Sequence, residues 1–203
     1  MGSQLSFHGE GQKFVNENFL KPKKKKFLKE RIMESSPRTD TGGTCSFTSA
    51  IKNVKHVFVF FQQYRKKKSY SQNPYFFDTF DLDGDNSAKL TRCRLNYGEN
   101  FYPVVYFSDK NKLRIYEHLL NYSYRNYDYN SGVQLQIANF ESLYPIIHFD
   151  LRNNEKFMTN DPLNLTLEYE LNETANLQYI IYAYVINEEE FVLETLGNEL
   201  VVV

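Results

Sequence analysis

Apolar residues along this chain recur mostly at period two. In residues 162–172, PLNLTLEYELN, Leu163, Leu165, Leu167, Tyr169 and Leu171 alternate with Asn164, Thr166, Glu168, Glu170 and Asn172. That is the pattern of a strand with one buried and one solvated face. Two stretches break the alternation by being apolar on both faces, KHVFVFFQQ (55–63) and LQYIIYAYVI (177–186). In the first, Val57, Val59 and Phe61 look one way and His56, Phe58 and Phe60 the other, so an interior strand covered on both sides is expected. The question this raises is what covers the second face.

The rest of the chain supplies further strands. CSFTS from Cys45, the alternating AKLTRCRLNYG (88–98), FYPVVYF interrupted by Pro103, LYPIIHFDLR (143–152) and the closing EEEFVLETLGNELVVV all read as strands. YFFDTF (75–80) reads as a short strand or a packed loop. Only SDKNKLRIYEHLLNYSY (108–124) has helical spacing, with Ser108 or Asp109 as cap and Leu113, Tyr116, Leu119, Leu120 and Tyr124 as its apolar face. About eight short strands with turn signals between them, and one helix, predict an all-β fold: an antiparallel eight-stranded jelly-roll sandwich with one helix inserted in a long connection.

Charge changes the picture at the N-terminal end. Residues 1–70 hold 15 Lys/Arg against 5 Asp/Glu, leaving 9 against 20 in the remainder, so a net charge of -1 hides a basic start and an acidic body. Residues 1–40 are poor in apolar residues and read as a basic, disordered arm, with a single jelly-roll domain over 41–203. Lys21, Lys23, Lys24, Lys25, Lys26, Lys29 and Arg31 are the candidate contacts of that arm with nucleic acid or anionic lipid. The opening MGSQLS fits the myristoylation pattern with Gly2 as acceptor, and the lysines would supply the second membrane signal such an anchor needs. PKKKK also resembles a nuclear import signal.

Candidate chemistry is sparse. His8, His56, His118 and His148 have no metal-ligand spacing, and Cys45 and Cys93 carry no nucleophile signature and read as free thiols. DLDGDNS (81–87) has Gly84 fourth where a calcium loop needs it sixth, so it reads as a turn. No phosphate-binding loop, dinucleotide fingerprint or hydrolase motif occurs. The reading is of a protein with no catalytic residues, no cofactor, no metal and no small-molecule substrate. No apolar run reaches the roughly 20 residues of a membrane span, and no signal peptide is expected.

The ordered blocks VKHVFVFFQQ, SQNPYFFDTF, LNYGENFYP, YEHLLNYSY, LYPIIHFDLR and INEEEFVLETLGNELVVV resemble the C-terminal half of the double jelly-roll capsid-like proteins of polinton-type elements and adintoviruses. The resemblance covers about residues 37–203. It implies a structural role, in which three two-roll subunits build a capsomer, and a location in a virion or inside the cell. It also implies that a second roll is missing here, as in a truncated or single-roll derivative.

The leading expectation is therefore a capsid-like protein that associates with itself or with another jelly-roll subunit. Val57, Phe58, Val59, Phe60, Phe61, Tyr182 and Tyr184 are the candidate association residues, on the two strands that are apolar on both faces. The alternative is a nucleic-acid- or anionic-membrane-binding module that uses the basic arm over residues 21–31 on a sandwich scaffold. A sugar-binding or enzymatic sandwich is the third, and would need a polar pocket with converging carboxylates.

Overall fold

The protein is described by a computed structural model over residues 23–64, 89–124, 135–142, 144–154, 162–172, 178–196 and 199–202. The strands are β1 (Lys23–Glu34), β2 (Gly42–Ile51), β3 (Val54–Gln63), β4 (Leu90–Tyr97), β5 (Asn100–Ser108), β6 (Ile147–Asp150), β7 (Leu163–Leu171), β8 (Tyr179–Leu196) and β9 (Glu199–Val202). Between β5 and β6 lie a 3₁₀ turn (Asp109–Asn111), helix α1 (Lys112–Tyr124) and helix α2 (Ile137–Ser142).

One sheet has the order β1-β8-β3-β6, with β9 added on β8, and the other the order β2-β7-β4-β5. The pairs β1·β8, β2·β7, β3·β6 and β4·β5 are those made when an eight-strand antiparallel ribbon doubles back on itself. Alternate pairs then fall into opposite sheets, joined by β3·β8 and β4·β7. This winding is the jelly roll. Both described helices sit in the β5–β6 connection, where the sequence places the one it predicts; α2, six residues long, is additional.

The chain divides into two compact units. The sandwich unit is Lys29–Asn187. Its core is filled from both sheets at the expected period: Val57, Val59 and Phe61 of β3, Ile181, Ala183 and Val185 of β8, and Leu165, Leu167, Tyr169 and Leu171 of β7 are buried. Cys45 and Cys93 are buried free thiols, and burial raises both above the usual thiol range. The β4–β5 hairpin turns through two residues, Gly98 and Glu99, between the paired Tyr97 and Asn100. Gly98 takes φ +66°, the conformation that favours glycine at the first position of such a turn.

The second unit comprises Met1–Leu28 and Glu188–Val203. Its described part carries Phe27 against Phe191, with ring centroids 5.5 Å apart, and β9 pairs with β8 from Leu193↔Val202 to Leu196↔Glu199.

Four expectations change at this level. The lysine-rich segment, expected to belong to a disordered arm, is strand β1 from Lys23 to Glu34. On an edge strand, charged side chains can point to solvent on both faces while the backbone pairs on one side, so a polar composition does not forbid a strand. The closing segment is divided: its first part continues β8, which runs unbroken for 18 residues through Glu188–Glu190, and only Glu199–Val202 forms a strand of its own, β9. On α1 the buried residues are Ile115 and Leu119, with Tyr116 and Leu120 half-buried; of the expected stripe Leu119 is in the core, whereas Leu113 is 60% exposed and Ile115 takes its place. Ser108 precedes the 3₁₀ turn without a side-chain capping bond.

Candidate functional site

The outer face of β3 answers the question posed by its pattern. His56 is buried, while Phe58 and Phe60 are half-buried on the side of the sheet away from the core. Phe58 stacks on His148 of β6, with centroids 4.5 Å apart and planes 15° apart, and meets Tyr122 of α1 edge-on at 4.9 Å. Phe60 stacks on Tyr182 of β8 at 5.1 Å. Helix α1 therefore covers the end of this face near His56, and the cover thins out towards Phe60. The uncovered part is an apolar groove of about 280 Å³ lined by Ile32, Phe58, Phe60, Tyr122, Ile146 and Tyr184. The Tyr184 hydroxyl is pushed up to about 12 by burial and by the Glu30 carboxylate, so it stays protonated and neutral.

Of the seven candidate association residues, the structure keeps four at the surface. Phe58, Phe60, Tyr182 and Tyr184 lie on the outer face. Val57, Val59 and Phe61 are at most 2% exposed and belong to the core, which removes them as contacts. Ile32, Tyr122 and Ile146 join the surface from distant segments and carry no sequence signal that groups them with β3.

Beneath the covered end lies a histidine network absent from the sequence reading. His148 Nδ1 is 2.6 Å from the carbonyl oxygen of His118 in α1, and that oxygen only accepts, so Nδ1 carries the hydrogen. His148 Nε2 is then the lone-pair nitrogen, and His56 Nδ1, 3.1 Å away, donates to it. Burial drops His148 to about 4, against the opposing pull of its bond to His118 and of Asp150. Asp150, although burial raises it, is held down to about 2 by Arg152, whose Nε is 3.1 Å from its Oδ1. Asp150 Oδ1 lies 3.9 Å from His56 Nδ1. His118, Asp150, Tyr102, Asn121, Asn153 and Asn154 line a neighbouring polar recess of about 300 Å³.

On the outer face of the other sheet, a depression of about 610 Å³ includes Arg92, Tyr106, Glu168 and Glu170. Its carboxylates do not converge on open space. Arg92 Nε reaches Glu170 at 2.5 Å, Arg94 Nε reaches Glu168 at 2.7 Å, and the Tyr106 hydroxyl donates to Glu168 at 2.8 Å. Arg92 and Arg94 also lie over the Tyr106 ring, at 5.0 and 4.3 Å. Glu168, although burial raises it, is held below the usual carboxylate range by Arg94 and Tyr106, the opposite of what a general acid needs.

The basic contacts are placed only in part. Lys23, Lys24, Lys25, Lys26, Lys29 and Arg31 lie on β1; Lys21 and Gly2 fall outside the described residues, as do residues 75–80 and 81–87. Lys24 pairs with Glu190 and Lys26 with Glu188, both at 2.9 Å, so part of the expected positive charge is compensated within its own unit. Among the described residues no group of three or more His, Cys, Asp or Glu is arranged to hold a metal ion. None of the described helices is long and apolar enough to cross a membrane. No protein-family model matches the chain, and no curated protein is similar to it.

Proposed function

We propose that this is a structural, capsid-like jelly-roll protein that acts by association and not by catalysis, through the outer face of the β1-β8-β3-β6 sheet. The observation that carries the reading is the apolar groove around Phe58, Phe60 and Tyr184. It lies on a sheet whose other face already fills the core, and it stays open among the described residues, as a contact surface for a partner would. The jelly-roll winding and the resemblance to double jelly-roll capsid-like proteins favour another jelly roll as that partner, whether a second copy or a related subunit. A virion or an intracellular assembly is the corresponding location. The paired carboxylates of the opposite sheet support neither glycoside hydrolysis nor an open sugar site.

The test compares the solution mass of the protein with that of Phe60→Glu, which places a charge in the groove. The reading requires an oligomer that the substitution dissociates while the far-ultraviolet dichroism is unchanged. An oligomer of unaltered mass in Phe60→Glu would move the contact elsewhere.

The nucleic-acid or anionic-membrane alternative draws on the β1 lysines, of which Lys24 and Lys26 would have to exchange Glu190 and Glu188 for phosphates. Deleting residues 1–36 would remove an edge strand together with the charge, so Lys→Gln substitution at 23–26 is the cleaner probe. Salt-sensitive binding to DNA or anionic vesicles that this substitution abolishes would favour the alternative.

A further inference from the structure

We propose that the His56–His148 pair is an acid-operated latch, holding the C-terminal half of α1 on the outer face of the sheet and releasing it when the pair takes up one more proton. This concerns regulation of the face assigned above to association, and rests on that reading only for what the released surface does.

The geometry leaves the pair little room for an added proton. His148 uses its Nδ1–H on the His118 carbonyl, which ties β6 to α1, and its one remaining lone pair receives the His56 Nδ1–H at 3.1 Å. A proton added at His148 Nε2 would set two N–H groups against each other. The pair escapes by moving apart, or by shifting the His56 hydrogen to Nε2, which places a cation in a site where His148 is wholly buried and His56 is 5% exposed. Either change acts directly on α1. The Tyr122 ring rests edge-on against His56 at 4.9 Å, His148 at 5.4 Å and Phe58 at 4.9 Å, and those three rings are its seat.

The surrounding charges set the response. From β6, Asp150 favours the proton, while Arg152 beyond it opposes it. From α1, His118 opposes a charge on His148; Arg114 and Glu117 act on His118 in opposite senses. Tyr184 of β8, with Glu30 of β1 bonded to it, stays neutral on the remaining side. Burial is the largest effect, and it keeps His148 neutral at pH 7. Release is therefore an acid event: the latched state binds the proton less well than the released one, so falling pH favours release.

Amide hydrogen exchange in α1, expressed as protection relative to intrinsic rates, reads the latch without reference to oligomer state. Between about pH 7 and about pH 4.5, protection over residues 115–122 should fall about tenfold or more while β7 stays protected. In His148→Gln, which keeps a donor and an acceptor but does not titrate, protection should not depend on pH. A parallel fall in both proteins, or no fall in the parent, overturns the latch. Should His148→Gln fail to fold, Asp150→Asn removes a charge that favours the proton in the latched state, so release must stay at the same pH or move higher; a midpoint moved to lower pH overturns the proposal. Sedimentation of the same samples separates the two ideas. A monomer whose α1 is released by acid contradicts the association reading alone, and an oligomer with pH-independent protection contradicts the latch alone.

Discussion

Tyr169 of β7 and Tyr179 of β8 place their hydroxyls 2.9 Å apart, one from each sheet, and both share the Asp40 carboxylate, Tyr169 at 2.9 Å and Tyr179 at 2.5 Å. Arg38 closes the network on the other side of Asp40. The jelly-roll winding makes this possible, because it stacks the β8 end of one sheet over β7 of the other. Removing the Tyr179 hydroxyl takes a partner from the Tyr169 hydroxyl, from the Asp40 carboxylate and from the Asp40 carbonyl oxygen at once. Tyr179→Phe should therefore lower the unfolding free energy by roughly 1–3 kcal/mol, read from the urea midpoint. The double variant with Tyr169→Phe should lose less than the sum of the single losses.

The same network makes stability acid-sensitive. Asp40, although burial raises it, is held down to about 2 by Arg38 and the two hydroxyls, whereas an unfolded aspartate titrates near 3.9. A depressed carboxyl contributes stability that is complete above about pH 4 and lost as pH falls towards 2. Asp40→Asn should flatten that part of the stability profile, and a profile as steep as the parent's would contradict the assignment.

His148 acts in a separate window. Its folded value of about 4 lies below the ordinary 6.5, so the unfolded chain binds the proton first and stability falls as pH drops from 6.5 towards 4. The full difference is on the order of 3 kcal/mol for this buried ring. Chemical denaturation at stepped pH checks it, and His148→Gln should remove the slope over that interval.

The two faces of β3 should separate in their response to truncation. Phe61→Ala opens a cavity in the core and should cost about 3–5 kcal/mol. Phe60→Ala loses one ring stack on Tyr182 and should cost about 1 kcal/mol. Equal costs would mean that the outer face is as fully packed as the inner one.

At the β4–β5 turn, a Cβ added to Gly98 would come within 2.8 Å of Leu163 Cδ1, in a backbone conformation that side chains rarely adopt. Gly98→Ala should cost roughly 1–3 kcal/mol, visible as a lowered melting temperature with unchanged strand content.

How much of this was legible in the sequence depends on how local the signal is. Strand β7 follows its period-two pattern residue by residue, because burial on one face is written into alternate positions. The two-faced pattern of β3 put Phe58 and Phe60 on an apolar outer face, but the cover it called for is present only at the His56 end, where α1 returns. Strand β1 was hidden because its pairing with β8 uses backbone groups, which leave no mark on a lysine-rich sequence. The rest of the groove was hidden for a different reason. Ile32, Tyr122 and Ile146 are brought to Phe58 by the winding of the sheets and the return of α1, and a pattern read along the chain has no access to that. The His56–His148 bond joins residues 92 positions apart, so no spacing rule could have paired them.

The central claim is that the outer face of the β1-β8-β3-β6 sheet is a contact between jelly rolls. Sedimentation equilibrium of the whole chain at pH 7, from nanomolar to high micromolar concentration, tests it most directly. The account predicts a mass that rises with concentration above the 24.1 kDa of one chain. A single 24.1 kDa species throughout, binding no dye that reports on exposed apolar surface, would contradict it.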